Sequence, residues 1–424
     1  MALTLFAIFV LLLLLRVPIA FALALSTTFI LTQSGFTMDM MPQRMFSALD
    51  SSTLMAIPGF VFAGIIMAKG GISKYLIEAL KKWVGHFPGG LSVVTILACM
   101  IFAAISGSSP ATAAAIGSIL IPGMIEAGYS KRYAMGLVAA AGTLGILIPP
   151  SIPLIIYGVV AEESIGRLFM AGVLPGLVMG GMLVLSAVLY ARRAGFQLSE
   201  KASWEERWRS SLKAFWGGIM PVIILGMIYT GVTTPTEASV VSCVYALLVS
   251  LVIYREMTVK DFKEIVLESV NISSMIYLII AAAMLFSLYL TNEQIPQQVA
   301  EWITGSDLNK WMFLIVVNLL FFILGTFLES VAIILITLPI FLPIVKTLGI
   351  DPIHFAIIMT VNLELAMITP PVGLNLFVVS GIAKERMGEV VRGVVPFLLI
   401  MLLVLALVII WPDLSLWLTR SVGG

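Results

Sequence analysis

Apolar runs separated by short polar segments follow one another along the whole chain. They fall at residues 2–15, 18–34, 52–69, 89–106, 109–126, 131–161, 166–191, 214–231, 235–254, 270–290, 309–325, 327–345, 352–381 and 390–412. The runs are long enough to cross about 30 Å of hydrocarbon as helices of roughly 20 residues, and they lack the alternating pattern of a transmembrane barrel. The pattern predicts an all-α polytopic membrane protein.

Composition supports the same class. Hydrophobic residues make up 60% and charged residues 11% of the 424 residues, whereas soluble domains have about 25% charged residues. Cys99 and Cys243 both lie in apolar runs, without a metal or disulfide motif around them. No small-residue cleavage site follows the first run, so we expect a retained helix rather than a signal peptide.

The second half of the chain repeats the first at a distance of 221 residues. The repeated positions are Pro122, Gly128, Pro149, Pro150 and Pro175, which recur as Pro343, Gly349, Pro370, Pro371 and Pro396. Matching helices interrupted by Gly and Pro in two halves are the best sequence indication of a secondary transporter's binding site. We therefore predict a first repeat at 1–197, a linker at 198–213 and a second repeat at 214–424, with broken helices at 131–161 and 352–381.

Each repeat also contains two joined apolar runs with a polar, glycine-containing centre, at 89–126 and 309–345. Either pair could cross the membrane twice. If the chain instead leaves on the side where it entered, the polar centre ends near the membrane midplane, where irregular backbone is tolerated only beside protein or water. We expect re-entrant helical hairpins, each preceded by an amphipathic arm helix, at 71–86 and 294–304.

Basic residues are distributed unevenly between the two predicted membrane faces. One face has Arg44, Arg167, Lys310, Lys346 and Arg420, and the other has the remaining 19 of the 24 Lys and Arg residues. The positive-inside rule makes the crowded face cytoplasmic, which places the loop 192–213 there and both chain termini in the periplasm. Equivalent loops of the two halves then face opposite sides, so we predict two inverted-topology repeats. Such repeats build a site at the membrane midplane.

Four strings at the polar interruptions carry a family resemblance: SGSSPAT at 106–112, GTLGILIPPS at 142–151, TPTEA at 234–238 and ITPPVGLN at 368–375. With them, the chain resembles the large, DctM-like membrane subunit of tripartite ATP-independent periplasmic (TRAP) transporters over nearly its whole length. It is similar to the carriers of C4-dicarboxylates and of sialic acid. The resemblance implies a sodium-driven, elevator-type importer in the bacterial inner membrane. It also implies two partners, a small DctQ-like membrane subunit and a DctP-like periplasmic binding protein that delivers the substrate.

Broken helices suit sodium because their unpaired carbonyls point into the break. Together with the resemblance, this predicts two repeat-related sodium sites and co-transport of two or more sodium ions, without an organic cofactor. The candidate ligands are Ser106, Ser109, Gly145, Ile148 and Pro150 in the first repeat, and Gly325, Thr326, Ala366, Thr369 and Val372 in the second. The alternative is that these small residues only permit close helix packing.

Substrate carboxylates are expected between the hairpin tips, where helix N-termini present N–H groups to an anion. The candidates are Ser108, Pro110, Ala111 and Thr112 at one tip, Ser330 at the other, and Ser151 and Asn375 after the proline breaks. No basic residue lies in these segments, so sodium ions and helix dipoles would have to compensate the substrate's charge. For each of these residues a role in packing is the alternative.

Glu237, Glu329 and Glu364 are the acids within apolar runs, where an ionised group costs on the order of 3 kcal/mol. Glu329 and Glu364 are expected to cap backbone N–H groups or to tune sodium binding, and Glu237, after Pro235, fits the first turn of a helix. The sequence has neither a catalytic triad nor a Walker motif, so we expect no enzyme activity. Two other functions remain open: a self-sufficient sodium- or proton-coupled symporter, and a non-transporting scaffold or channel.

Overall fold

The computed structural model describes residues 2–194, 201–305 and 309–422, and in these ranges the regular structure is entirely helical. The helices before the linker are α1 (Ala2–Leu14), α2 (Ile19–Gln33), α3 (Met40–Leu49), α4 (Ala56–Lys69), α5 (Ile72–Val84), α6 (Gly90–Ser106), α7 (Ser109–Glu126), α8 (Lys131–Thr143), α9 (Ile152–Ala161) and α10 (Ile165–Ala194). The helices after it are α11 (Trp204–Gly218), α12 (Met220–Tyr229), α13 (Pro235–Leu248), α14 (Val259–Asn292), α15 (Ile295–Gly305), α16 (Lys310–Gly325), α17 (Ser330–Thr347), α18 (Pro352–Met367), α19 (Leu374–Ala383), α20 (Met387–Ile410) and α21 (Asp413–Val422). The prediction of an all-helical, apolar chain is confirmed.

Many of these helices are shorter than a membrane is thick. Among the described residues, five are long and apolar enough to cross, or up to seven if each of two bent helix pairs counts as one span. Most helices of the two hairpins and of the two broken helices are too short to cross a membrane alone. Each predicted broken helix is divided in two, 131–161 into α8 and α9 and 352–381 into α18 and α19.

Two helices begin before the predicted apolar runs, because capping residues start them earlier in the sequence. The predicted linker at 198–213 instead enters α11, which begins after a capping box between Ser203 and Glu206 and continues to Gly218. In the same way α14 begins at Val259, well before the predicted 270, because Thr258 and Asp261 form a capping box,. The boundary at 197 and residues 198–200 lie outside the described ranges.

Two groups of helices border the site. In the first, here called the hairpin domain (α6–α9 and α16–α19), α7 packs against α8 and α19, and α17 packs against α9. The second helix of each hairpin therefore packs against the helix after the break in the other half. In the second group, here called the flanking group (α2, α3, α4, α13 and α14), α4 packs between α13 and α14, and α14 contacts α2 and α3.

Candidate substrate and ion site

The first hairpin tip is a compact cluster of hydroxyl groups. α6 ends at Ser106 and α7 begins at Ser109, with Gly107 between them in the left-handed region at φ +59°. The hydroxyls of Ser106 and Thr112 lie 2.9 Å apart. Thr112 Oγ1 donates to the carbonyl of Ser108 at 2.8 Å. These bonds hold the tip's oxygen atoms together within one turn.

This tip lies directly on the break of the first half. The Ile152 N–H donates to the carbonyl of Gly107 at 3.3 Å. A Cβ added at Gly107 would lie 2.8 Å from the carbonyl oxygen of Pro150, and one at Gly145 only 2.5 Å from that of Ser108. Both glycines are needed because the two main chains approach too closely for a side chain. The structure thus brings the tip residues Ser106 and Ser109 to the break that contains Gly145, Ile148 and Pro150.

The second tip meets the second break in a similar way. The Val372 N–H donates to the carbonyl of Thr326 at 3.1 Å, and a Cβ at Gly325 would lie 2.4 Å from Ala366 Cβ. Thr369 Oγ1 donates to the carbonyl of Leu365 at 2.7 Å. Both diproline peptide bonds, 149–150 and 370–371, are cis. The second candidate ion cluster is therefore also brought together at one tip and one break.

The two tips are built differently. Residues 107–108 connect the helices of the first hairpin and residues 326–329 those of the second. Pro110 lies in the first turn of α7, whereas Glu329 is the N-cap of α17 and accepts a bond from the Val331 N–H at 3.1 Å. The Glu329 carboxylate acts as an ordinary N-cap, because it accepts a hydrogen bond from one of the otherwise free N–H groups at the start of α17.

A cavity of about 610 Å³ opens between the two tips. Four helix N-termini contribute to its described lining, through Ser109 to Ala111 of α7, Ile152 and Pro153 of α9, Val331 of α17 and Leu374 of α19. Free N–H groups and the positive ends of helix dipoles favour anions at such positions. The remaining wall comes largely from α4 and α14.

The predicted substrate residues divide into two sets. Ser108, Pro110 and Ala111 line the cavity, together with Ser106, Ser109 and Glu329. Thr112, Ser151, Ser330 and Asn375 are instead buried in contacts within the protein. The latter set supports the site rather than lining it.

Two of the buried residues have well-defined supporting roles. Ser151 caps α9, since its Oγ accepts from the Leu154 N–H at 3.4 Å and donates to the carbonyl of Ile146 at 2.5 Å. Asn375 Nδ2 donates to Ser109 Oγ at 2.8 Å and to the carbonyl of Ala139 at 3.1 Å. Asn375 therefore ties the break of the second half to the hairpin of the first.

The three intramembrane acids have three different environments. Glu237 lies exposed in the first turn of α13, as predicted, where it forms a capping box with Thr234. Glu329 lines the cavity as the cap of α17. Glu364 is fully buried in α18, and its carboxylate oxygens have no hydrogen-bond partner among the described residues.

Sequence reasoning missed two charged residues of the cavity. Lys69 at the end of α4 and Glu268 on α14 both line it, and Lys69 Nζ lies 2.8 Å from Glu268 Oε2. The hairpin tips and the segments at the two breaks contain no basic residue, as expected, but the described lining of the cavity includes one, Lys69. Lys69 closes an apolar run, and only the fold shows that this run passes beside a hairpin tip.

The apolar helices, the two tips and the cavity between them place the chain among polytopic membrane transporters. Its fold is similar to that of the solved structure of MtrF from Neisseria gonorrhoeae, described as an antimetabolite efflux pump, with a TM-score of 0.60 and 14% identity over 89% of this chain and 83% of that one. The family model "Tripartite ATP-independent periplasmic transporter, DctM component" matches residues 6–414, and the chain belongs to this family.

Named relatives agree with the family. The chain is 48% identical to the C4-dicarboxylate TRAP transporter large permease protein DctM of Pseudomonas aeruginosa, over 90% of this chain and 89% of that protein. It is 37% identical to the sialic acid TRAP transporter large permease protein SiaM of Vibrio cholerae, over 96% of each. The resemblance noted in the sequence is thereby confirmed. These relatives are permease subunits rather than enzymes.

Proposed function

We propose that this chain is the transport subunit of a TRAP transporter that imports a C4-dicarboxylate together with two or more sodium ions. The observation that carries the proposal is the cavity between the tips, where four helix N-termini meet. The higher identity to the C4-dicarboxylate permease favours that substrate over sialic acid. A DctQ-like membrane subunit and a DctP-like binding protein complete the transporter in the inner membrane.

Sodium coupling follows from the chemistry of the tips. Each tip meets a helix break, where main-chain oxygens lose their helical partners. Such oxygens suit sodium, and a dianion in a cavity that several helix N-termini border is bound more strongly when cations lie beside it. Binding free energies linked in this way are reciprocal, so sodium and substrate each raise the affinity for the other.

An elevator movement fits the division into two helix groups. The hairpin domain contains both tips and both breaks, and the flanking group supplies the opposite wall of the cavity through α4 and α14. Two inverted repeats, as the sequence predicts, allow such a domain to expose one site to either face. The hairpin domain would carry the site, and the flanking group would stay fixed.

Substitution of the tip and break hydroxyls tests the ion sites. In vesicles that contain all three subunits, Ser106→Ala and Thr369→Ala should each raise the sodium concentration for half-maximal succinate uptake, by about tenfold for the loss of one ligand worth about 1.4 kcal/mol. Ser118→Ala and Thr347→Ala are matched controls, because these exposed hydroxyls bond only within their own helices.

An unchanged sodium response in both Ser106→Ala and Thr369→Ala would reject the assignment of the ion sites. Omission of the binding protein separates two further possibilities. Full succinate uptake without it would identify a self-sufficient symporter instead of a TRAP transporter. Uptake that is independent of sodium and unaffected by cross-linking of the hairpin domain would identify a channel.

A further inference from the structure

Lys69 is the cationic side chain in the described lining of the cavity. It lies in the last turn of α4, with its Nζ 2.8 Å from Glu268 Oε2 and 3.9 Å from Glu264 Oε2, both on α14. These side chains are partly exposed, Lys69 at 37% and Glu268 at 46%. Ion pairs that water reaches contribute little to stability, so Lys69 can leave Glu268 at small cost.

The helix that carries this lysine, α4, contacts the first hairpin tip. A Cβ at Gly64 would lie 2.9 Å from Ser106 Cα, so α4 contacts the tip at that point. Lys69 follows five residues later, about 7.5 Å further along the helix axis at 1.5 Å per residue. Lys69 lines the same cavity as the helix N-termini, on a wall formed by a different group of helices.

We propose that Lys69 is a substrate-binding residue that exchanges Glu268 for one carboxylate of the bound anion. The other carboxylate of a dicarboxylate would bind at the helix N-termini of the tips. Lys69 would then select for a second negative group, because a monocarboxylate held at the tips leaves Lys69 paired with Glu268. This inference rests on the proposed function, since it assumes an anion between the tips.

The contact between Lys69 and the bound anion would also depend on the conformation of the transporter. It lies on α4, in the flanking group, whereas the tips lie in the hairpin domain. An anion carried with the hairpin domain would contact Lys69 only in the arrangement seen here, in which α4 lies against Ser106. When the anion leaves, Lys69 would form its ion pair with Glu268 again.

Calorimetric titration of the purified full-length chain in sodium buffer tests the proposal, with succinate and the monocarboxylate N-acetylneuraminate as probes. Lys69→Met should weaken succinate binding by at least tenfold, and Lys69→Arg should retain most of it. Lys131→Met is the matched control, because Lys131 forms a comparable exposed pair with Glu385 at 2.6 Å and does not line the cavity. Glu268→Gln should tighten succinate binding several-fold, since it removes the competing carboxylate.

The outcomes distinguish a failure of this inference from a failure of the proposed function. If wild type binds succinate and Lys69→Met binds it equally well, the role of Lys69 is rejected and the proposed function stands. If wild type binds neither probe with sodium present, the proposed substrate class and the role of Lys69 both fail. If Lys69→Met does not fold, Glu268→Gln decides, and unchanged or weaker binding in that variant rejects the inference.

Discussion

At the scale of single residues, the contact of Asn375 with Ser109 joins the two halves of the chain. Asn375 is fully buried, and its amide nitrogen donates to both Ser109 Oγ and the carbonyl of Ala139. Its amide oxygen has no described partner. The side chain thus satisfies groups of the first half while it lies in the first turn of α19.

Loss of this contact should destabilise the protein measurably. We expect Asn375→Ala to lower the free energy of unfolding by about 1–3 kcal/mol, because it leaves buried polar groups unpaired. Ser109→Ala should cost less, since Asn375 keeps its bond to Ala139. Thermal unfolding of the four proteins of a double-mutant cycle should show a coupling of at least about 0.5 kcal/mol. Additive effects would mean that the two side chains do not interact.

Sequence could locate the polar interruptions but not the partners of their residues. Ser106, Ser109 and Gly145 were found because they lie at tips and breaks, and the fold places them together. Thr112, Ser151, Ser330 and Asn375 lie at the same interruptions, but their side chains are buried in contacts within the protein and do not line the cavity. Whether a side chain faces the cavity or another helix depends on which helices are its neighbours, and a single sequence does not show those neighbours. Lys69 was missed for the same reason.

At the scale of elements, α5 is attached by a charged contact to the short segment that precedes α14. Tyr75 Oη and Lys74 Nζ both donate to Glu256 Oε1, at 2.7 and 3.0 Å. The bond from Tyr75, followed by that from Lys74, holds the pKa of Glu256 below its usual value of about 4.5. The attachment of α5 should therefore depend on pH.

The sign of this dependence follows from linkage. Because the pKa of Glu256 is lower in the folded protein, the contact stabilises α5 at pH above about 4.5 and is lost as the pH falls through the lowered value. Glu256 is partly exposed, so we expect an effect of at most about 1 kcal/mol. The protection factors of residues 72–84 against hydrogen exchange, which are corrected for the intrinsic pH dependence of exchange, should fall on acidification in wild type and be lowered by a similar amount at every pH in Glu256→Gln. Equal acid sensitivity of the two proteins would contradict the assignment.

Element boundaries show which local signals the apolar pattern overlooks. The predicted starts and ends of the hairpins agree closely with α6, α7, α16 and α17, because glycine and polar residues interrupt the pattern there. The start of α14 was predicted late because its first turns are polar and outside the apolar run. The capping box at Thr258 and Asp261 was readable in the sequence,. α3 was missed because it is short and mostly exposed.

At the scale of the whole molecule, Gly64 marks the place where the flanking group contacts the hairpin domain. A larger residue there cannot keep the present arrangement, because its Cβ would lie 2.9 Å from Ser106 Cα. Gly64→Leu should strain this arrangement by about 1–3 kcal/mol or more and strongly reduce succinate uptake. Gly226→Leu, on α12 with no atom within 4 Å of its added Cβ, should transport normally.

Folding must be checked alongside transport for these two variants. Both should elute as monodisperse protein and reach the membrane in similar amounts. Wild-type uptake by Gly64→Leu would show that transport does not require α4 to lie against the tip. The proposed role of α4 as a wall of the transport site would then be rejected.

The 221-residue repeat predicted which elements pair within each half. It did not predict how the halves interlock, with α7 against α19 and α17 against α9. Sequence repetition specifies the same local structure twice, whereas the contacts between copies depend on the surfaces that each copy presents to the other. The family was recognisable from four strings, because the polar residues of a membrane chain are few and concentrated at its functional positions.

The unequal connections at the two tips have a consequence for energetics. If the halves were identical inverted repeats, the outward-open and inward-open forms of the proposed elevator would be related by a two-fold axis in the membrane plane and equal in energy, and an empty carrier would spend half its time in each. A two-residue turn in one half and a four-residue turn capped by Glu329 in the other remove that degeneracy. In the proposed elevator, the empty carrier would then have a preferred resting side before any gradient acts on it.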